Sequence, residues 1–380
     1  MGDYAVAAPL RAQPDAAVQP GALASEPTSS LEVGGWVQVS LLLLPDARVG
    51  EPVDVLTPRG FIMDDGSGGE SRLRASGRDT RLNMRGTHHA DAGRLSAFVE
   101  FDLFAMSGEA YRPRLRHAVV GWASIDDRVT VRFGQDWSAF ADPGAYARIY
   151  NPLPLGAVFV RQPQFRVEYR PQPGLIVTGS IESAAGDVTV PTRMRPGRAD
   201  ALPHLALAGR LERGWGSLQI GTIVGKRSSD DVGIWGLSAS GRVDLSAAGR
   251  RHLRFQTVLG RGVARYVGEL GTGYEHLLRA SPRAGDDTTA AERVVAANLS
   301  YEHHFSSRVS ASAQASYVKG RAAIPDRAGR TESAAFVGNL VVRPARKIEL
   351  AAEHMIVRRI DGGGVSASRR IVRLASRFHF

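Results

Sequence analysis

The most constraining feature of this chain is a hydrophobic alternation of period two that recurs from Leu31 to Phe380. Val33, Gly35, Val37, Val39, Leu41 and Leu43 share one parity; Leu95, Ala97, Val99, Phe101 and Leu103 share another run, interleaved with Ser96, Phe98, Glu100 and Asp102. The pattern returns at Phe165, Val167, Tyr169, at Leu205, Leu207, Gly209, Leu211, and at Val372, Leu374, Ser376, Phe378, Phe380. Side chains that alternate this way lie on opposite faces of a strand, whereas a helix would repeat every three or four residues. No stretch approaches the roughly 20 uninterrupted apolar residues that a spanning helix needs. The chain is therefore expected to be all-β, with about sixteen strands from 31–44, 80–88 and 94–105 through to 366–380.

The connections between these segments alternate in length. Short turns fall at Ala90–Gly93, Ser124–Asp127, Pro171–Pro173, Gly214, Ser246–Gly249, Ser306 and Pro344–Ala345; between them lie long connections such as Pro45–Asp79, Asp136–Ala157, Ser183–Leu202 and Gly262–Ala291. An even strand count with short turns at one end and long loops at the other is the pattern of a transmembrane, antiparallel, up-and-down β-barrel with periplasmic turns and extracellular loops. The apolar parity then faces lipid. Tyr169, Tyr301, Phe378 and Phe380 near one rim, and Phe133, Tyr317 and Phe336 near the other, suit two interfacial girdles. The final strand ends on Phe380 in phase with its apolar residues, as in the C-terminal signal read by the barrel assembly machinery. The expected location is the bacterial outer membrane, with outer-membrane lipid around the wall.

Forty-eight Lys plus Arg against 38 Asp plus Glu give a formal net charge of +10. A nucleic-acid binder concentrates such charge in a patch or helix face; here the arginines stand singly between apolar residues, so no nucleic-acid partner is expected. The absence of cysteine excludes thiolate metal sites and disulfide scaffolds. Residues 1–30 are Ala- and Pro-rich, lack the apolar core of a secretory signal, and read as a flexible tail; residues 31–380 read as the barrel.

On the inward parity sit Arg81, Arg85, Arg112, Arg114, Arg116, Arg132, Arg166 and Arg170, interspersed with Glu100, Asp102 and Glu168. Permanently charged guanidiniums along a wet lumen would lower the energy of passing anions; the bland alternative is that they pair with acidic neighbours across strands. The connection from Asp136 to Ala157 holds Trp137, Phe140, Tyr146, Arg148 and Tyr150, too aromatic for a solvated outer loop. It matches the third loop of general porins, so residues 136–157 are expected to fold into the barrel and set its constriction, with Arg148 near the narrowest point. Catalysis has little support: His88–His89 and His303–His304 point to opposite faces, GTIVGKRS lacks the glycine spacing of a phosphate-binding loop, and no Ser, His and acid set can be placed. No enzyme, metal or cofactor is expected.

The segments GRLSAFVEFDLF, PRLRHAVVGWA, VTVRFGQDWSAFADP and GAVFVRQPQFRVEYR, in that order, resemble those of the DcaP-like porin family. The likeness is close over roughly residues 80–170 and continues elsewhere as strand pattern. It implies a homotrimeric sixteen-stranded porin passing small organic anions such as dicarboxylates. By matched motif it implies pore or mouth roles for Arg114 and Arg116, for Arg132 and Asp136, and for Arg161, Gln162, Gln164 and Arg166. Strict alternation nevertheless turns His117 and Arg161 outward, which places them near the interfaces, at a bulge, or in a trimer contact. Members of the family carry a helical extension before the barrel, which the Pro-rich residues 1–30 would not form. The expected function is passive, anion-selective diffusion; the competing readings are a general non-selective porin and a soluble, basic all-β binding protein.

Overall fold

The computed structural model describes residues 29–47, 69–107, 110–150, 155–183, 202–226, 233–246, 249–268, 293–321, 330–361 and 366–380. Its strands are β1 (Ser29–Ala47), β2 (Glu70–Ser76), β3 (Arg81–Ala90), β4 (Gly93–Ser107), β5 (Ala110–Ala123), β6 (Val129–Trp137), β7 (Arg161–Gln172), β8 (Leu175–Glu182) and β9 (His204–Arg213). They continue as β10 (Gly216–Lys226), β11 (Gly233–Asp244), β12 (Arg251–Arg261), β13 (Arg293–His304), β14 (Val309–Arg321), β15 (Arg330–Ala345), β16 (Ile348–Asp361) and β17 (Ser366–His379). From β3 onward every strand pairs antiparallel with the next. The sheet closes where β1 pairs with β17, from Trp36–His379 to Leu43–Val372.

Seventeen segments occupy sixteen positions. The lower half of β1 pairs with β3 and its upper half with β2, both antiparallel, so β2 and β3 are one barrel strand broken at residues 77–80. There the Thr80 amide donates to the Gly77 carbonyl at 3.0 Å, and Trp36 Nε1 donates to the Asp79 carbonyl at 2.7 Å. β2 falls inside the connection expected to run from Pro45 to Asp79; its seven residues, ESRLRAS, are too polar and too short for the alternation to stand out. Most of the tail expected over 1–30 lies outside the described residues, although Ser29 and Ser30 already belong to β1.

The outward parity reads as expected. Val37, Val39, Leu41, Phe133, Phe165, Tyr169, Leu205, Leu207, Leu299, Phe336, Leu374 and Phe378 are all exposed on the outer wall, a surface that only a hydrocarbon surround leaves unpenalised. In the run Leu41–Leu44, Leu41 and Leu43 are exposed while Leu42 and Leu44 are fully buried against Phe104, Ile149, Leu155 and Met355. Both faces of that strand are apolar because lipid covers one and a loop inside the barrel covers the other. Between β4 and β5 the register slips: Glu100 faces His117, yet Phe101 faces Leu115. The surplus residue, Arg116, forms a bulge, and a bulge reverses parity. His117 therefore points inward at 1% exposure; of the placements left open by strict alternation, the bulge is the one the structure shows.

Candidate functional site

The lumen has two unlike walls. On the first, Arg81, Asp102 and Arg114 lie in one cross-strand row. Arg114 grips Asp102 with two bonds, Nε to Oδ1 at 2.9 Å and Nη2 to Oδ2 at 2.6 Å. Arg116 bridges Glu100 at 2.7 Å and Asp102 at 3.0 Å, and Arg81 stands 3.5 Å from Glu100. Farther round, Glu168 receives Arg132 at 3.0 Å, Arg170 at 3.1 Å and Arg166 at 3.8 Å. Asp136 lies 3.3 Å from Arg132 and 3.0 Å from His117 Nδ1. Six guanidiniums, those of Arg81, Arg114, Arg116, Arg132, Arg166 and Arg170, thus share four carboxylates, Glu100, Asp102, Asp136 and Glu168.

Burial divides these arginines. Arg116, Arg132 and Arg166 are buried, while Arg81, Arg85, Arg114 and Arg170 keep part of their surface open. Arg85 stacks over Phe98 at 5.0 Å and lies opposite Glu32 of β1, outside the ion pairs of the other six. Arg112 stands apart: it is exposed at the far end of β5, opposite Phe104 and Ala105, away from the ladder of ion pairs.

The hairpin of β6 and β7 outruns its neighbours. Pairing of β6 with β5 stops at Gln135 and pairing of β7 with β8 at Gln164, but β6 and β7 stay paired to Trp137–Arg161. This tip carries residues 138–150 and 155–160 into the lumen. Arg161, placed outward by strict alternation, is buried with its guanidinium 5.2 Å from the Trp137 ring, because a hairpin that has left the wall no longer has a lipid face.

The loop then follows the second wall, made by the end of β8 and by β9 to β17. Glu182 holds its start, accepting from Ser138 Oγ at 2.7 Å, the Ala139 amide at 2.8 Å, Ser180 Oγ at 2.6 Å and Gln162 Nε2. Phe140, at 0% exposure, occupies a hollow over Gly236, where a Cβ would come within 2.9 Å of its ring. Asp142 accepts from Ser240 at 2.9 Å and pairs with Arg210 at 3.1 Å. Gln256 takes the Val158 amide at 2.7 Å, and Asn298 donates to the Leu155 carbonyl at 2.8 Å. Gly156, at φ 71°, lies so close to β13 that a Cβ would sit 2.2 Å from the Ala297 carbonyl. Arg148 is buried in an ion pair with Glu349, and Asn339 donates to its carbonyl at 2.6 Å; it is fixed to the second wall and does not face the first. Arg373 ties the Tyr150 carbonyl and stands 3.2 Å from Asp79.

A second segment folds in behind the loop. Val158 and Val267 form a bridge, and the Phe159 amide donates to the Tyr266 carbonyl at 2.9 Å. Tyr266, fully buried, accepts from Gln162 at 3.5 Å and contacts His204 Nδ1 at 2.5 Å. Burial pushes its phenol up to about 12, so the hydroxyl stays neutral and able to donate. Arg265 reaches Gln162 Oε1 at 2.8 Å. The sequence missed Arg265 and Tyr266 because they fall within the connection Gly262–Ala291, and missed Glu182 because one acid at a strand end carries no pattern. Arg369, Arg373 and Arg377 were legible, opposite in parity to Leu374 and Phe378.

Solved structures share this architecture. The outer-membrane channel DcaP of Acinetobacter baumannii superposes with a TM-score of 0.71 at 18% identity, covering 93% of this chain and 97% of that one. The chain has a porin fold. An anion-selective porin from Comamonas acidovorans gives 0.62 at 12% identity over 93% and 100% of the two chains, and outer-membrane-expressed OmpT of Vibrio cholerae gives 0.57 at 11% over 93% and 98%. No protein-family model and no curated protein matches the sequence.

Proposed function

We propose that this porin-fold protein is a passive, anion-selective diffusion channel of the bacterial outer membrane, with no covalent chemistry of its own. The observation that carries this reading is the surplus of guanidiniums on the first wall, seven against five carboxylates once Glu32, opposite Arg85, is counted, with Arg81, Arg85, Arg114 and Arg170 partly open to the lumen. Buried Arg116, Arg132 and Arg166 hold Glu100, Asp102, Asp136 and Glu168 in place, so these acids cannot swing out and cancel the field. The connection 136–157, read from the sequence as the constriction loop, narrows the pore through its described parts, 138–150 and 155–157, leaving the first wall as one side of the path. The solutes are small organic anions, dicarboxylates among them, which present two acceptor pairs to planar guanidiniums. The assembly is a homotrimer, as in the trimeric form of a solved neighbour, and Phe380 is read by the assembly machinery.

The reversal potential of the protein in a planar bilayer under a KCl gradient tests this. A chloride-selective potential is expected, with transient block by added dicarboxylates; a potassium-selective or zero potential overturns the anion path. A general non-selective porin is the second reading, favoured by the ion pairing of most of these arginines, and a near-zero potential would select it.

A further inference from the structure

Outside the lumen, β11 to β13 carry a ladder of aligned outward rungs. From the short-turn end it runs Val243–Leu253–Tyr301, Gly241–Phe255–Leu299, Ala239–Thr257–Ala297, Leu237–Leu259–Val295, and at the long-loop end Trp235–Arg261–Arg293. The first four rungs carry no charge and suit hydrocarbon. The fifth places two exposed arginines directly opposite one another on neighbouring strands, beside a Trp that is 50% exposed. Like charges in that relation repel, and neither arginine has a carboxylate partner among the described residues. Among the described residues, outward carboxylates at this end of the wall are taken elsewhere: Glu332 by Lys319 at 3.0 Å and Asp46 by Arg370 at 3.6 Å.

The height of the rung matters. Tyr301 to Arg293 is eight residues, about 27 Å of strand at roughly 3.4 Å per residue and about 20 Å along the membrane normal at a tilt near 40°, close to the apolar band of such barrels. The arginines thus stand where acyl chains give way to headgroups of the outer leaflet, with Trp235 at the depth that indole rings favour. Guanidiniums bind phosphate bidentately and lose less hydration than ammonium groups in doing so.

We infer that Arg261, Arg293 and Trp235, with Leu237, Leu259 and Val295 beneath them, form a binding site for a phosphorylated lipid of the outer leaflet. The phosphomonoester supplies the missing counter-charge between the two arginines, and the acyl chains lie along the aliphatic rung.

Native mass spectrometry of the full chain in non-ionic detergent tests the site, using a diphosphorylated glucosamine-disaccharide lipid and its dephosphorylated counterpart as probes. Adducts of the phosphorylated lipid are expected, at least tenfold weaker for the dephosphorylated one, a comparison that needs no variant. The double variant R261Q/R293Q should fall to the dephosphorylated level while R213Q, exposed at the opposite rim, keeps the wild-type value. Conductance of the double variant should be unchanged, since both side chains lie outside the pore. Equal binding of the two lipids, or an unaltered double variant, overturns the inference. So does competition by inorganic phosphate at equal concentration, which marks a free-anion site, or a changed oligomeric state of R261Q/R293Q, which marks a contact between copies.

Discussion

The inner wall of β3 to β7 gathers Arg81, Arg85, Arg114, Arg116, Arg132, Arg166 and Arg170 around Glu100, Asp102, Asp136 and Glu168, whereas beneath the loop the inner wall of β10 to β15 offers chiefly Ser217, Gln219, Ser238, Ser240, Gln256, Asn298, Ser300, Gln314 and Asn339, all buried and all neutral. The first wall is left open to water and uses charge. The second is covered by the loop and uses mainly hydroxyls and amides, which satisfy the loop's backbone carbonyls and amides; the charged Arg254, which donates to the Gly144 carbonyl at 2.7 Å, is paired with Glu302. A buried arginine under the loop would cost several kcal/mol unless paired, and the wall arginines that touch the loop there, Arg210, Arg254, Arg373 and Arg377, each have a carboxylate. One barrel thus separates selectivity from pore size, placing the first on one wall and the second on the other.

That division of labour breaks most sharply if charge is removed from the open wall. A unit charge about 6 Å from an ion's path in water is worth about 0.7 kcal/mol, roughly threefold in local anion concentration. The triple variant R81Q/R114Q/R170Q is therefore expected to lower the chloride-over-potassium permeability ratio by about tenfold or more; a change under twofold would mean these side chains do not face the path. Next in size is Glu182→Ala, which strips the shared acceptor from Ser138, Ala139, Ser180 and Gln162. Leaving those donors unsatisfied costs about 2–4 kcal/mol, read as a noisier and larger single-channel conductance with selectivity kept within twofold. Gly236→Leu drives a side chain into Phe140 and costs about 1–3 kcal/mol by overpacking, lowering the thermal midpoint and shifting the loop. Smallest is Asn339→Ala, expected to cost about 1 kcal/mol of loop anchoring with no change in reversal potential. A selectivity change in either of the last two would erase the distinction between the walls.

Much of this was legible in the chain. Outward residues such as Phe165, Leu205 and Leu374 declare themselves because lipid tolerates only apolar side chains there, and the inward ladder from Arg81 to Arg170 follows by opposition. What escaped had local causes. Parity could not place His117 because a bulge at Arg116 leaves no mark in the sequence, nor Arg161, because leaving the wall is a tertiary event. β2 was absorbed into a long connection because ESRLRAS lacks bulk. The seat of the loop was hidden for a different reason: its anchors, from Glu182 to Asn339 and Glu349, are single residues brought together from strands far apart in the chain.

The pairing of β1 with β17 has a bearing on how the molecule comes to exist. Leu43 and Val372, roughly 330 residues apart, become neighbours only when the whole chain has emerged, and the Phe380 amide makes the final stitch to the Gly35 carbonyl at 3.3 Å. The entropy of that closure grows slowly with length, about 0.6 kcal/mol per doubling, so time matters more than free energy. Until the last strand arrives, the sheet has two bare edges, each a template for a neighbouring chain. The first strand made must be kept waiting for the last.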